Sequence, residues 1–109
     1  MNFFLLIVLL SLVEFAGDAS FKIFTKSGSN LFLLSGVASY IAMMFGLIYV
    51  LKFSNVSYMN LQWDGVSAII ETTLAFILLG ETLSNSTQYL GAFSVILGVI
   101  LLNFGKIPT

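Results

Sequence analysis

Four long apolar segments, separated by short polar links, constrain what this chain can fold into. They cover residues 3–21, 31–50, 57–79 and 89–104, and a helix needs about 20 apolar residues to cross a bilayer. The chain is 59% hydrophobic and 8% charged, whereas about 25% charged residues is usual for a soluble globule. We therefore predict an all-α integral membrane protein that crosses the bilayer several times.

The links between these segments are too short to allow anything but antiparallel neighbours. They cover residues 22–30, 51–56 and 80–88, and they contain three of the lysines together with most of the turn-forming residues. Nothing is left over for a soluble domain. The sequence thus predicts a single domain over residues 1–109, a four-transmembrane-helix bundle with up-down-up-down order.

The lysines do not favour either orientation in the membrane. With four spans, Lys52 and Lys106 lie on one side, and Lys22 and Lys26 lie on the other. The positive-inside rule therefore has no bias to act on. Two hypotheses remain open here: the chain inserts in both orientations, or tertiary contacts fix one of them.

Several classes of function are excluded by residues that the chain lacks. There is no cysteine, histidine or arginine, and four basic residues face five acidic ones. A cysteine-based metal site, the commonest general base and the basic surface needed for nucleic acid are therefore missing. We expect no enzymatic activity, no metal, no cofactor and no nucleic-acid partner.

A carboxylate in the middle of the first apolar segment is the strongest functional signal. Glu14 is placed where burial of a charge costs roughly 2.5–3.5 kcal/mol on insertion scales. Asp18 lies one helical turn later on the same face, with Lys22 as an alternative ion-pair partner. An acid within a membrane segment is by default a functional site, and pairing of Glu14 with another helix is the competing interpretation.

The third segment carries a polar stripe at helical spacing. Asn60, Asp64, Ser67 and Glu71 follow offsets of four, three and four residues, which places them on one face of a helix. Such a face points to the bundle interior or to water. Two structural interpretations compete with a functional one: Asp64 favours the start of its helix, or Glu71 is a protonated, hydrogen-bonded structural residue.

These acids predict competition between a proton and a cation. A carboxyl group at low dielectric retains its proton near neutral pH, and a bound cation displaces that proton. If the site opens alternately to each side, the competition becomes exchange. Trp63 and Tyr40 add aromatic faces, which attract organic cations, although packing or interfacial anchoring explains such residues as well.

Small residues on the last helix predict an interface. Gly91, Ser94 and Gly98 lie near one face, and Ser94 and Gly98 have the spacing that lets helices approach closely. Because four helices make a thin bundle, we expect this face to form a homodimer.

The chain resembles the small multidrug resistance family of the drug/metabolite transporter superfamily over nearly its whole length. The resemblance is carried by Glu14-x-x-Gly17-x-x-x-x-Lys22, Tyr40, Trp63-x-Gly65, Gly80, Gly91 and Gly98. It implies an antiparallel homodimer in a bacterial-type inner or plasma membrane, with both copies of Glu14 in one chamber. It also implies proton-coupled export of organic cations, with Glu14 as the shared site and Tyr40 and Trp63 lining the chamber.

The chain departs from this family in several places. Asn60 replaces the usual tyrosine, and the third-helix proline and third-loop arginine are absent. Asp64 and Glu71 are additional acids, and an acid after Trp63 is similar to one subunit of the family's polyamine-exporting pair. A paralogue heterodimer is therefore also possible. The segment Gly80-Glu81-Thr82-Leu83-Ser84 looks like the wider superfamily, which includes metabolite permeases and lipid-carrier flippases.

The predicted function is proton-coupled export of a cationic substrate by alternating access. A polyamine, a guanidinium-type compound or a quaternary ammonium compound fits, and the additional acids favour the first two. One alternative is a permease or flippase subunit for a non-cationic solute, which would bind no cation at any pH. Another is a non-transporting membrane subunit whose acids pair with a partner's lysines.

Overall fold

The computed structural model describes residues 2–108 and consists of four α-helices joined by short loops. The helices are α1 (Phe3–Ser27), α2 (Asn30–Val50), α3 (Val56–Leu78) and α4 (Ser86–Leu102). Residues 2–108 contain no strand. The predicted all-α fold with four helices is thereby confirmed.

Three of the four helices begin after an asparagine that caps the first turn. Asn2, Asn55 and Asn85 cap α1, α3 and α4, each accepting hydrogen bonds from backbone N–H groups of the first turn. The first helix continues to residue 27, beyond the apolar segment at 3–21, because nothing in its polar extension breaks a helix. It ends where Gly28 adopts a left-handed φ of 69°.

Contacts between α1 and α2 run in antiparallel register. Gly46 lies against Leu10, and Gly36 lies against the ring of Phe21. A Cβ atom at either glycine would collide with the facing side chain. The two helices therefore pack closely because glycine leaves room on α2 for large side chains of α1.

The third helix runs parallel to α1 and antiparallel to α4. The ring of Tyr58, near the start of α3, lies 5.9 Å from that of Phe3. The Tyr58 hydroxyl donates to the Leu102 carbonyl at 3.2 Å, at the end of α4. Further along α3, a Cβ at Gly65 would lie 2.5 Å from Val99. The predicted up-down-up-down order is present.

The helices form a flat slab rather than a closed bundle. Extensive contacts link α1 to α2 and to α3, whereas α4 packs mainly on α3. The principal extents are 45 × 36 × 19 Å, so the slab is about two helices thick, given helix diameters of roughly 10–12 Å. The second and fourth helices therefore lie at its edges and expose much of their surface.

Two of the helices, α1 and α2, are long and apolar enough to cross a membrane. The most apolar stretch of α2 is only 6% buried, which is unlike the core helix of a soluble protein. The fourth helix is apolar but has 17 residues, and α3 carries the polar stripe. The prediction of membrane-spanning helices is therefore supported for α1 and α2 by their length and composition.

Candidate functional site

Glu14 lies at the contact between α1 and α3, where its carboxylate accepts a hydrogen bond from a neutral donor. The indole Nε1 of Trp63 donates to Glu14 Oε1 at 3.0 Å. Trp63 is buried with 7% of its surface exposed, whereas Glu14 is half-buried. The parallel register of the two helices brings these residues together, although they are 49 positions apart.

Two further acids lie beside Glu14. Carboxylate oxygens of Glu14, Asp18 and Glu71 all lie within 4.8 Å of one another, and all three side chains are half-buried. Three ionised carboxylates at this separation repel one another strongly. A proton or a cation held between them relieves that repulsion. Oxygen ligands of this kind suit a hard cation better than a thiophilic metal.

Asp18 has its hydrogen-bond partner on the neighbouring helix. The Tyr40 hydroxyl of α2 donates to the Asp18 carboxylate. Asp18 is therefore bound across the α1–α2 contact, in contrast to the alternative of an ion pair with Lys22 within α1. Tyr40 also stacks against Phe21, with ring centroids 5.5 Å apart.

A cavity of about 280 Å³ opens beside Glu14. It is lined by Glu14, Tyr40, Met43, Met44, Leu47, Met59, Asn60, Trp63 and Asp64. Asn60 and Asp64 are exposed. We call this space the Glu14 cavity. One open cavity, whose remaining lining is apolar, is therefore lined by five of the predicted binding residues: Glu14, Tyr40, Asn60, Trp63 and Asp64.

Glu71 opens onto a different cavity, of about 320 Å³, on the other side of the acidic cluster. Asp18 and Lys22 also line this second cavity. The polar stripe of α3 is therefore divided: Asn60 and Asp64 line the Glu14 cavity, whereas Glu71 lies outside it. Asp64 is not part of the three-acid cluster, so one chamber holding Glu14, Asp64 and Glu71 is not what the single chain forms.

The predicted interface residues lie away from both cavities. Gly91, Ser94 and Gly98 are exposed on α4. A Cβ added at either glycine would meet no atom within 4 Å, and the Ser94 hydroxyl donates to the Leu90 carbonyl of its own helix at 3.0 Å. This face of α4 makes no close contact within the described part of the chain.

A hydrogen-bonded amide pair joins the buried Gln62 of α3 to the exposed Asn103 at the end of α4, and the sequence did not predict it. The side chain of Gln62 is fully buried and donates from Nε2 to Asn103 Oδ1 at 2.9 Å. Asn103 Nδ2 donates in turn to the Val99 carbonyl at 2.8 Å. Gln62, a polar residue beside Trp63 in an apolar segment, indicates a buried hydrogen bond. The sequence does not identify its partner, because Asn103 lies 41 positions away.

A third cavity, of about 450 Å³, lies between α3 and α4. Its lining is mostly apolar and includes Phe76, Tyr89 and Phe93. It contains none of the predicted site residues. No periodicity within a single helix predicts it, because residues of two helices form it.

Comparisons with family models, curated proteins and solved structures found no match to this chain.

Proposed function

We propose that this protein is a proton-coupled membrane transporter that exports a nitrogen-based cation through the Glu14 cavity. The observation that carries the proposal is the composition of that cavity. It holds two carboxylates and two aromatic side chains, and none of the nine residues that line it is basic. Acids and aromatic faces without a competing cation form a site suited to an organic cation.

A membrane location for all four helices is part of this proposal. The edge helix α2 exposes large apolar side chains such as Leu34, Met44 and Phe45, each more than 60% accessible. Contiguous apolar surface on this scale needs lipid or another protein to cover it. The 25 residues of α1 span about 37 Å, enough to cross a hydrocarbon core of about 30 Å.

Exposed polar groups at the cavity opening support a dimer. Tyr40, Asn60 and Asp64 are exposed where the Glu14 cavity opens, and lipid would leave their polar atoms unsatisfied. A second copy packed over this side would close the cavity and supply a second Glu14. The small-residue face of α4, which lies away from the cavity, offers a separate helix-packing surface for the same dimer. An antiparallel arrangement agrees with the balanced lysines of the two sides.

Transport follows from competition at Glu14. A proton bound there neutralises the carboxylate and removes its attraction for a cation, whereas a bound cation favours the ionised form. Trp63 Nε1 holds the carboxylate in position in both cases. If the dimer opens alternately to each side, a proton gradient then drives the cation in the opposite direction.

Reconstituted vesicles provide the test. With an acidic interior, wild-type protein should accumulate a basic cation such as spermidine or phenylguanidinium, and dissipation of the pH gradient should abolish uptake. Glu14→Gln keeps the side-chain volume and removes the ionisable group, so uptake should fall to the level of protein-free vesicles.

Glu81→Gln is the matched control because it removes an exposed loop acid and should leave uptake unchanged. Equal uptake by wild type and Glu14→Gln would exclude the proposal. Uptake of only neutral or anionic solutes would instead favour a permease or flippase.

A further inference from the structure

Three neighbouring features of α1 hold the Tyr40 side chain in place. Asp18 accepts a hydrogen bond from its hydroxyl, and Phe21 contacts its ring at a centroid distance of 5.5 Å. Gly17 leaves room for the ring, since a Cβ there would lie 2.9 Å from two of its carbons. Tyr40 is therefore fixed against α1 while it still lines the Glu14 cavity.

This hydrogen bond decides what the Tyr40 oxygen offers to a ligand. A phenol has a single O–H donor, and a carboxylate can only accept. Because the O–H of Tyr40 is donated to Asp18, the Tyr40 oxygen has only its lone pairs left to interact with a ligand in the cavity. The single N–H of the Trp63 indole is likewise taken, by Glu14.

The other polar groups of the cavity are mainly acceptors as well. The ionised carboxylates of Glu14 and Asp64 accept hydrogen bonds only, and Asn60 alone contributes an amide that also donates. A ligand that brings N–H donors can satisfy these oxygens. A ligand with the same charge but no N–H leaves them unpaired, which is unfavourable where water is excluded.

We propose that Asp18 is a positioning residue that determines specificity: by accepting the hydrogen bond of the Tyr40 O–H, it leaves the Tyr40 oxygen as an acceptor for cations that carry N–H groups. Asp18 acts through Tyr40 and need not contact the substrate. This inference rests on the proposed function, because it concerns how the Glu14 cavity selects among cations. Without Asp18, the Tyr40 hydroxyl is free to direct its proton into the cavity.

The test compares two cations of equal charge, one with three N–H donors and one with none. Hexylammonium and hexyltrimethylammonium carry the same charge and the same tail, and titration calorimetry on the purified full chain gives both dissociation constants. Wild-type protein should bind hexylammonium more tightly. Tyr40→Phe, which keeps the ring on Phe21, should reduce this preference about tenfold, the effect of one hydrogen bond to a charged donor.

Asp18→Ala removes the acceptor of the Tyr40 hydroxyl and should reduce the preference by a similar factor. Combined with Tyr40→Phe, it should reduce the preference no further than Tyr40→Phe alone. Loss of the Asp18 charge also weakens the binding of both cations, but that effect cancels in the ratio of their affinities. Glu81→Gln removes an acid that does not line the Glu14 cavity and should leave the ratio unchanged. If Asp18→Ala does not fold, Tyr40→Phe and the wild type still decide whether the Tyr40 oxygen discriminates between the two cations.

The outcomes separate this inference from the proposed function. If wild type binds neither cation, the proposed function fails and the inference fails with it. If wild type binds both and the ratio stays the same in Tyr40→Phe, the proposed function stands and the role of Tyr40 and Asp18 is excluded. An equal loss of affinity for both cations in Asp18→Ala, with the ratio preserved, would show that Asp18 contributes charge alone.

Discussion

Glu14 differs from an isolated membrane acid in having a specific neutral donor. The Trp63 indole binds Glu14 Oε1 at 3.0 Å, and its ring is packed in the apolar core with Ile7, Met59 and Val66. The hydrogen bond therefore comes from a side chain that cannot move freely. This arrangement holds the carboxylate in one position without neutralising its charge, so that a cation in the cavity still meets a negative group.

Removal of the Trp63 donor should weaken cation binding. Trp63→Phe keeps an aromatic ring in the core but leaves Glu14 without its N–H partner. Hydrogen bonds to charged groups contribute about 1.5–3 kcal/mol, so we expect the affinity for hexylammonium to fall at least about tenfold. Titration calorimetry on the purified protein measures this change.

Tyr58→Phe is the control for that measurement, because it also removes one interhelical hydrogen bond of α3. The Tyr58 hydroxyl donates to the Leu102 carbonyl, away from Glu14. The Tyr58→Phe variant should bind hexylammonium with the same affinity as the wild type. Equal losses in the two variants would mean that loosening of α3 explains the effect of Trp63→Phe.

The helices differ in how they are held together. Glycines of α2 receive large side chains of α1, so that contact depends on shape and on close approach. The contact between α3 and α4 depends in addition on the hydrogen bond between the buried Gln62 amide and Asn103. The helix at the edge of the slab is thus fixed by a polar contact, whose energy depends on both partners being present.

Removal of one member of that pair should destabilise the fold. Asn103→Leu leaves the fully buried Gln62 amide without its partner, and an unsatisfied buried polar group costs about 1–3 kcal/mol. We expect a lower midpoint of thermal unfolding in detergent. The double variant Gln62→Leu, Asn103→Leu replaces both amides with apolar groups and should recover most of the loss. A double variant less stable than Asn103→Leu would contradict this account.

At the scale of the whole molecule, the open slab leaves apolar surface exposed that lipid or another protein must cover. Its centre is α1, which contacts α2 and α3, while α2 and α4 expose apolar surface at the edges. Polar groups of the Glu14 cavity are exposed in the single chain as well. A membrane-embedded dimer would cover the apolar edges with lipid and the polar opening with a second copy.

Cysteine cross-linking tests the proposed dimer surface, and the chain has no cysteine of its own. Ser94→Cys places a thiol at the centre of the small-residue face, where both parallel and antiparallel packing bring two copies close. Mild oxidation in membranes should yield a covalent dimer. Phe45→Cys, on the exposed surface of α2, should remain monomeric. Efficient cross-linking through Phe45→Cys alone would assign the interface to α2 instead.

Helix order and helix positions were predictable from the sequence, because they depend on local hydrophobic patterns and on short links. The first helix is longer than its apolar segment, since a helix continues through polar residues until a residue such as Gly28 stops it. The candidate site was predictable in part: the spacing of Glu14 and Asp18 fixes their shared helix face, whatever packs against it.

What lies opposite each helix face depends on how the helices pack. The residue pattern of α3 places a polar stripe on one of its faces. The parallel register of α1 and α3 brings Glu71 to Glu14 and Asp18, whereas Asp64 lines the Glu14 cavity without joining that cluster. The same register turned Trp63 into a hydrogen-bond donor to Glu14, and Tyr40 reached Asp18 through the close approach of α2. The physical reason is that helical periodicity is set within one helix, whereas contacts between helices depend on their relative shift and rotation, which the packing of distant side chains determines.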